Sequence, residues 1–343
     1  MAEPTLQETG VIKDLSESLS RIIKNSKIVS SVLPAIIGFL PVAGGALMSA
    51  PIVDYETGKL KLKPEKKAYV NLWFRHTIFP VYPVSQVLII TAALTETTLP
   101  SIIVRQIPVV VVMITVGYLI GFWKVSIPKS EEKSGMKSDV KSNLKSFFIA
   151  FSPILITIIV VVCLDLTGFG FPEQGFDVLA ATLVGLVVLI IISKLSLEVF
   201  VNPLKNWGIY GVTFAAYGAF LLRNIMSAAG ISEIFKNLAT NESTSIILLL
   251  TVVPAVLGFV TGSPSGGIAI SVSILTGILP FFSPKTAALI YISTYLGYVI
   301  APTHLCFTFT SEYFKCPLGK VYKYLIPSFL ATFATALLIY FLF

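Results

Sequence analysis

The sequence predicts an all-α polytopic membrane protein: an inverted-topology repeat with two re-entrant hairpins and two proline-broken helices. Three observations predict it: an apolar composition poor in charge, a Gly/Pro-rich motif that occurs twice, and basic residues gathered in short loops. Hydrophobic residues make up 55% of the 343 and charged residues 13%, about half the charged share of soluble domains. The mean hydropathy is +0.86.

Apolar runs long enough to cross about 30 Å of hydrocarbon cover residues 101–123, 147–167, 176–195, 208–226 and 322–343. The net charge of +7 sits beside these runs, in "KLKLKPEKK" (59–67), in the Lys-rich stretch 124–145, and at Lys315, Lys320 and Lys323. That is the positive-inside pattern of cytoplasmic loops, so the lipid bilayer, and no nucleic acid, is the expected partner. "MAEPTLQETG" has neither the basic nor the apolar region of a signal peptide. Cys163, Cys306 and Cys316 form no C-x-x-C pair; they read as buried small residues, with no metal, cofactor or disulfide framework.

The repeat is read from "LPAIIGFLPVAGGALMSAP" (33–51) and "VPAVLGFVTGSPSGGIAISVS" (253–273). Pro34, Ala35, Gly38 and Phe39 match Pro254, Ala255, Gly258 and Phe259, and Gly44-Gly45 match Gly266-Gly267 across a two-residue insertion. The interval from Gly10 to Pro34 equals that from Gly230 to Pro254, and Gly45 to Pro80 equals Gly267 to Pro302. Self-similarity at fixed spacing is the mark of a duplicated unit. Each copy then reads as a short amphipathic helix (11–25; 231–241), an apolar stretch with a Gly/Pro-rich middle, a proline-interrupted run and a clean spanning helix.

Gly and Pro disfavour a straight helix through that middle. Residues 28–53 therefore read as a hairpin that enters and returns on one side, against the simpler alternative of a single kinked span. Following the basic loops, the first hairpin opens from the cytoplasm and the second from outside, because "GFGFPEQGFD" (168–177) has no Lys or Arg. The chain is thus one membrane domain (1–343), with repeat 1 at 10–123, a cytoplasmic Lys-rich linker at 124–145 and repeat 2 at 146–343. By the repeat offset, the first copy lacks the N-terminal spanning helices that precede the second; a truncated gene or misplaced start codon is the expectation.

Inverted repeats with discontinuous helices are a hallmark of secondary transporters, whose sites lie where the breaks converge. The predicted substrate or ion contacts are Gly44, Gly45, Ser49, Thr261, Ser263, Ser265, Gly266, Gly267, Thr303 and His304, with helix breaks at Pro41, Pro80, Pro83, Pro264 and Pro302. Glycines at the tips let a ligand reach the backbone amides; equally, they allow close helix packing. His304 reads either as a proton carrier or hydrogen-bond donor or as a neutral imidazole satisfied by a freed carbonyl. Arg75 can attract a carboxylate, but snorkelling to the inner interface is the favoured reading. Asp54 and Glu56 read as loop charges, and Trp73 and Trp123 as interfacial aromatics.

"LPVAGGALMSAP" and "APTHLCFTFTSEYF" resemble the integral-membrane family catalogued as domain of unknown function 401, a group similar to gluconate permeases and four-carbon dicarboxylate carriers of the ion-transporter superfamily. The resemblance implies paired hairpins, a homodimer, elevator-like movement, and transport of an organic anion coupled to Na⁺ or H⁺. The expected function is therefore secondary transport of a small carboxylate in a prokaryotic plasma membrane. Its rivals are a cation/proton antiporter with no organic substrate and a truncated, non-transporting membrane protein. Enzyme chemistry is not expected: no Ser/His or paired-Asp constellation and no H-E-x-x-H motif is present.

Overall fold

The computed structural model describes residues 25–39, 45–126, 140–167, 176–193, 243–276 and 281–343, with isolated positions elsewhere. Several expectations fall outside the described residues: Pro41 and Gly44, most of both amphipathic segments, the loop 168–175, most of the run 208–226, and most of the 124–145 linker. All regular structure among the described residues is helical.

The first set of helices is α1 (Ser26–Gly38), α2 (Ala46–Lys59), α3 (Pro64–Arg75), a 3-10 turn at Phe79–Val81, α4 (Gln86–Thr95) and α5 (Leu99–Phe122). Two apolar helices follow, α6 (Val140–Thr167) and α7 (Phe176–Ser193), packed on each other. The second set is α8 (Ser243–Thr261), α9 (Pro264–Leu275), α10 (Pro284–Val299), α11 (Leu305–Tyr313) and α12 (Leu318–Leu342). Local chemistry sets the starts. The Asn25 side chain accepts from the Lys27 amide at 3.0 Å and caps α1. Ser283 accepts from the Thr286 amide and caps α10, and α3, α9 and α10 each carry Pro in the first turn, where its missing N–H costs nothing.

The two sets make matching contacts. In the first, α1 packs on α2 and α3, α2 on α3, and α5 on α3 and α4; in the second, α8 packs on α9 and α10, α9 on α10, and α12 on α10 and α11. Contacts between the sets pair up too: α2 with α11 and α9 with α4, α3 with α12 and α10 with α5, and α5 with α12. Nearly all of α10 is buried, and it forms the centre of the main core with Tyr69, Trp73 and Phe307.

Among the described residues, four helices, α5, α6, α7 and α12, are long and apolar enough to cross a membrane; Pro64–Val81 with Gln86–Thr95, bent by 40°, makes a fifth if counted as one span. On α5, Val104, Ile107, Val111 and Ile114 are exposed while Ile102, Val109 and Met113 are buried. A helix apolar on both its buried and its exposed face suits lipid, not water. The helices are those of a membrane protein.

Some local expectations are corrected. Trp73 is fully buried, its indole N–H donating to the Met113 carbonyl at 2.9 Å, so it anchors α3 to α5 instead of an interface. Trp123 is exposed, as expected of a belt residue. Asp54 and Glu56 lie inside α2: Lys67 pairs with Asp54 at 2.6 Å, and buried Glu56 accepts from Ser26 Oγ at 2.7 Å and from Lys59. Helix runs on past Pro51, and "IVDYETGK" after it holds no breaker before Gly58. Cys163 is exposed on α6, whereas Cys306 and Cys316 are buried as read.

Candidate functional site

The site is built from two chain breaks and a turn. At the first break α3 ends at Arg75, the chain passes through the 3-10 turn holding Pro80 and a second turn at Pro83, and helix resumes at Gln86. At the second, α10 ends at Val299 and α11 begins at Leu305, with Pro302 and Thr303 in the turn between them. The third feature is the turn Gly262–Ser263 between α8 and α9.

Gly262 adopts φ +59°, which glycine takes without strain. A Cβ there would overlap Thr303 Oγ1 and lie 2.9 Å from Thr303 Cβ, so this turn is pressed against the second break. Ser263 caps α9 by accepting from the Gly266 amide at 3.3 Å. Thr261 and Thr303 are exposed, and Ser263, Ser265 and Gly266 partly so. Accessible hydroxyls thus surround the N-terminal, dipole-positive end of α9.

Helix breaks free carbonyls, each costly if buried unpaired. Here side chains satisfy them. Arg75 Nη1 donates to the Ile37 carbonyl at 2.9 Å, Tyr295 Oη to the His76 carbonyl at 2.8 Å, and Tyr322 Oη to the Ile300 carbonyl at 2.7 Å. Arg75 is 1% exposed, which corrects the snorkelling expectation: its guanidinium turns inward to an end of α1.

Beneath this surface both histidines of the chain meet. The His76 and His304 rings stand edge to face, with centroids 4.7 Å apart, and both residues are buried. His76 Nδ1 lies 2.7 Å from the Leu72 carbonyl and His304 Nδ1 3.3 Å from that of Val299. Tyr298 sits over the His304 ring at 4.0 Å, and Phe79 and Tyr295 flank His76. The ligand-type atoms of His76, His304 and Cys306 lie within 4.8 Å of one another.

Other predicted positions are placed apart from the accessible rim. Ser49 is buried and donates to Asn71 Oδ1 at 2.6 Å; Asn71 in turn donates to the Ala46 carbonyl at 2.8 Å and to Thr310 Oγ1 at 3.4 Å, joining α2, α3 and α11. Gly267 is buried, where a Cβ would meet Gly258 Cα at 2.9 Å and Thr294 Cγ2 at 2.6 Å. It permits close packing of α8, α9 and α10. Gly45 is buried at the start of α2, and Pro264 begins α9.

Sequence reasoning assigned no role to His76, Asn71 or Thr310, and read Cys306 only as a buried small residue. One signal was available: His76 and His304 each lie within about one helical turn of a break proline. By the register that matches Pro80 to Pro302, Tyr298 takes the place of His76, and Tyr82 that of His304.

No curated protein matches the chain. Residues 4–343 match the family described as protein of unknown function (DUF401), and the chain belongs to that family.

Proposed function

We propose that this protein is a secondary active transporter of a small organic anion, a carboxylate, coupled to Na⁺ or H⁺. In this reading it is a multi-pass protein of a prokaryotic plasma membrane, working as a homodimer. The observation that carries the reading is the convergence of the α8–α9 turn on the second helix break, with Thr261, Ser263, Ser265 and Thr303 around the start of α9. Hydroxyls and a helix N-terminus suit a carboxylate, and a break beside a turn supplies a place where small rearrangements open or close access.

The matching contacts of the two helix sets support a duplicated, inverted architecture in which α1–α2 and α8–α9 are the re-entrant hairpins. The resemblance to gluconate permeases and dicarboxylate carriers supports an organic anion as the cargo.

The test is thermal-shift screening of purified protein against carboxylates, with and without Na⁺. At least one carboxylate should raise the unfolding temperature, and Thr303→Val, an accessible and nearly isosteric change, should abolish that shift without altering the ligand-free midpoint. An undiminished shift in Thr303→Val would move the site away from this rim. The buried His76–His304 pair favours a second reading, a cation/proton antiporter. Reconstituted protein showing a Na⁺-driven pH change with no anion dependence would select it.

A further inference from the structure

We propose that His76, His304 and Cys306 form a binding site for a single soft monovalent metal ion of the Cu(I) class, buried between the end of α3 and the start of α11. The inference goes beyond the transport reading and does not rest on it.

Three observations carry it. The first is composition in space. The chain has two histidines and three cysteines, and both histidines and one cysteine come within 4.8 Å of one another, all buried. Ionisable or coordinating side chains in a membrane interior are expensive, and their clustering calls for a function.

The second is orientation. Metal-binding imidazoles characteristically donate one ring N–H to a carbonyl, which fixes the tautomer and turns the other nitrogen's lone pair to the metal. His76 Nδ1 at 2.7 Å from the Leu72 carbonyl and His304 Nδ1 at 3.3 Å from that of Val299 are arranged in this way. His304 Nε2 is buried with no hydrogen-bond partner. Leaving a buried nitrogen unpaired is costly, and a metal bond removes that cost.

The third is charge. Two neutral imidazoles and a thiolate carry one negative charge, and the Arg75 guanidinium lies against the Cys306 side chain. A monovalent ion balances the three ligands themselves. A divalent ion would leave an extra positive charge beside Arg75 in a low-dielectric interior, where such repulsion is strong. Thiolate with imidazole in a trigonal His₂Cys set is copper chemistry. Metal–nitrogen and metal–sulfur bonds of about 2.0 and 2.3 Å place trigonal ligands about 3.7 Å apart, so side-chain rotations that close about 1 Å complete the set.

On binding, the Cu–S bond forms as the Cys306 thiol proton leaves to solvent; copper remains Cu(I) and nothing is oxidised. Phe79, Tyr295 and Tyr298 around the histidines exclude water. The bound ion clasps the two helix breaks together.

The test uses purified full-length protein titrated anaerobically with Cu(I) against a chromogenic competitor chelator, with X-ray absorption at the copper edge. Wild type should hold one Cu(I) per chain with one sulfur and two nitrogen neighbours. Cys306→Ser should weaken binding at least about 100-fold, while a Cys163→Ala/Cys316→Ala double variant binds as wild type. His304→Asn is the second variant, so that a fold defect in one leaves the other to decide; unfolding midpoints without metal identify the folded variants. Failure of wild type to bind, equal binding by folded Cys306→Ser and His304→Asn, or Zn(II) displacing Cu(I), would overturn the proposal. A carboxylate thermal shift that survives Cys306→Ser bears on the transport reading alone.

Discussion

Gly297→Ala tests whether α8 and α10 are held at backbone contact. Gly297 lies in the last turn of α10, and a Cβ built there overlaps the Ala255 carbonyl oxygen of α8, 2.8 Å from its carbon and 3.0 Å from Ala255 Cα. These are main-chain atoms of a neighbouring helix, so no side-chain rotation relieves the clash. Two effects oppose each other. Alanine gains about 1 kcal/mol of helix propensity over glycine, and overpacking a tight contact costs about 1–3 kcal/mol or more. Because the obstacle is backbone, the cost falls at the upper end, and the net loss is about 1–2 kcal/mol. Gly319, within the first turn of α12, has nothing within 4 Å of its built Cβ, so Gly319→Ala keeps the propensity gain and meets no clash. Measured as monodisperse protein surviving a heating series in detergent, Gly297→Ala should lower the midpoint by about 2–5 °C, and Gly319→Ala should leave it equal or higher. Gly297→Ala as stable as wild type would refute the reasoning, because the two helices would then have room that their contact denies.

Three further predictions concern a buried carbonyl and the cysteines. Tyr295→Phe leaves the buried His76 carbonyl without its 2.8 Å donor and should cost about 1–3 kcal/mol, seen as a lowered midpoint in the same assay; no change would mean that another group caps α3. A permeant maleimide should label exposed Cys163 in the native protein while Cys306 and Cys316 react only after unfolding, read by mass spectrometry of digests. Burial first, then the negative charge of Glu65, pushes the Cys316 thiol above its ordinary range, so its alkylation in the unfolded chain, where both causes vanish, should proceed at a lower pH than in any partly folded state that still reacts.

Much of the helix pattern is legible in the residues. The runs 101–123 and 322–343 become α5 and α12 with ends moved by a few residues, because a long apolar stretch in lipid has little alternative to helix. Pro80 and Pro302 mark real breaks, since a proline removes a donor and clashes with the preceding turn. The turn at Gly262–Ser263 follows from glycine's ease at positive φ and from the Ser-Pro pair that starts α9. Side-chain direction is less legible. Arg75 and Trp73 occupy positions near a basic loop, where snorkelling and belt placement are the default, yet both point inward. The Ile37 and Met113 carbonyls that receive them lie on helices distant in sequence.

The sequence by itself determined that this is a helical membrane protein, where its helices break, and that similar motifs recur at equal spacing, because those properties reside in local backbone chemistry and in apolar run length. Only the tertiary structure decided that Gly262 abuts Thr303, that Gly267 lies against Gly258 and Thr294, and that His76, His304 and Cys306 share one buried place. Such neighbours are set by how helices stack, and residues about forty positions apart, as Gly262 and Thr303 are, or more than two hundred, as His76 and His304 are, carry no local trace of meeting.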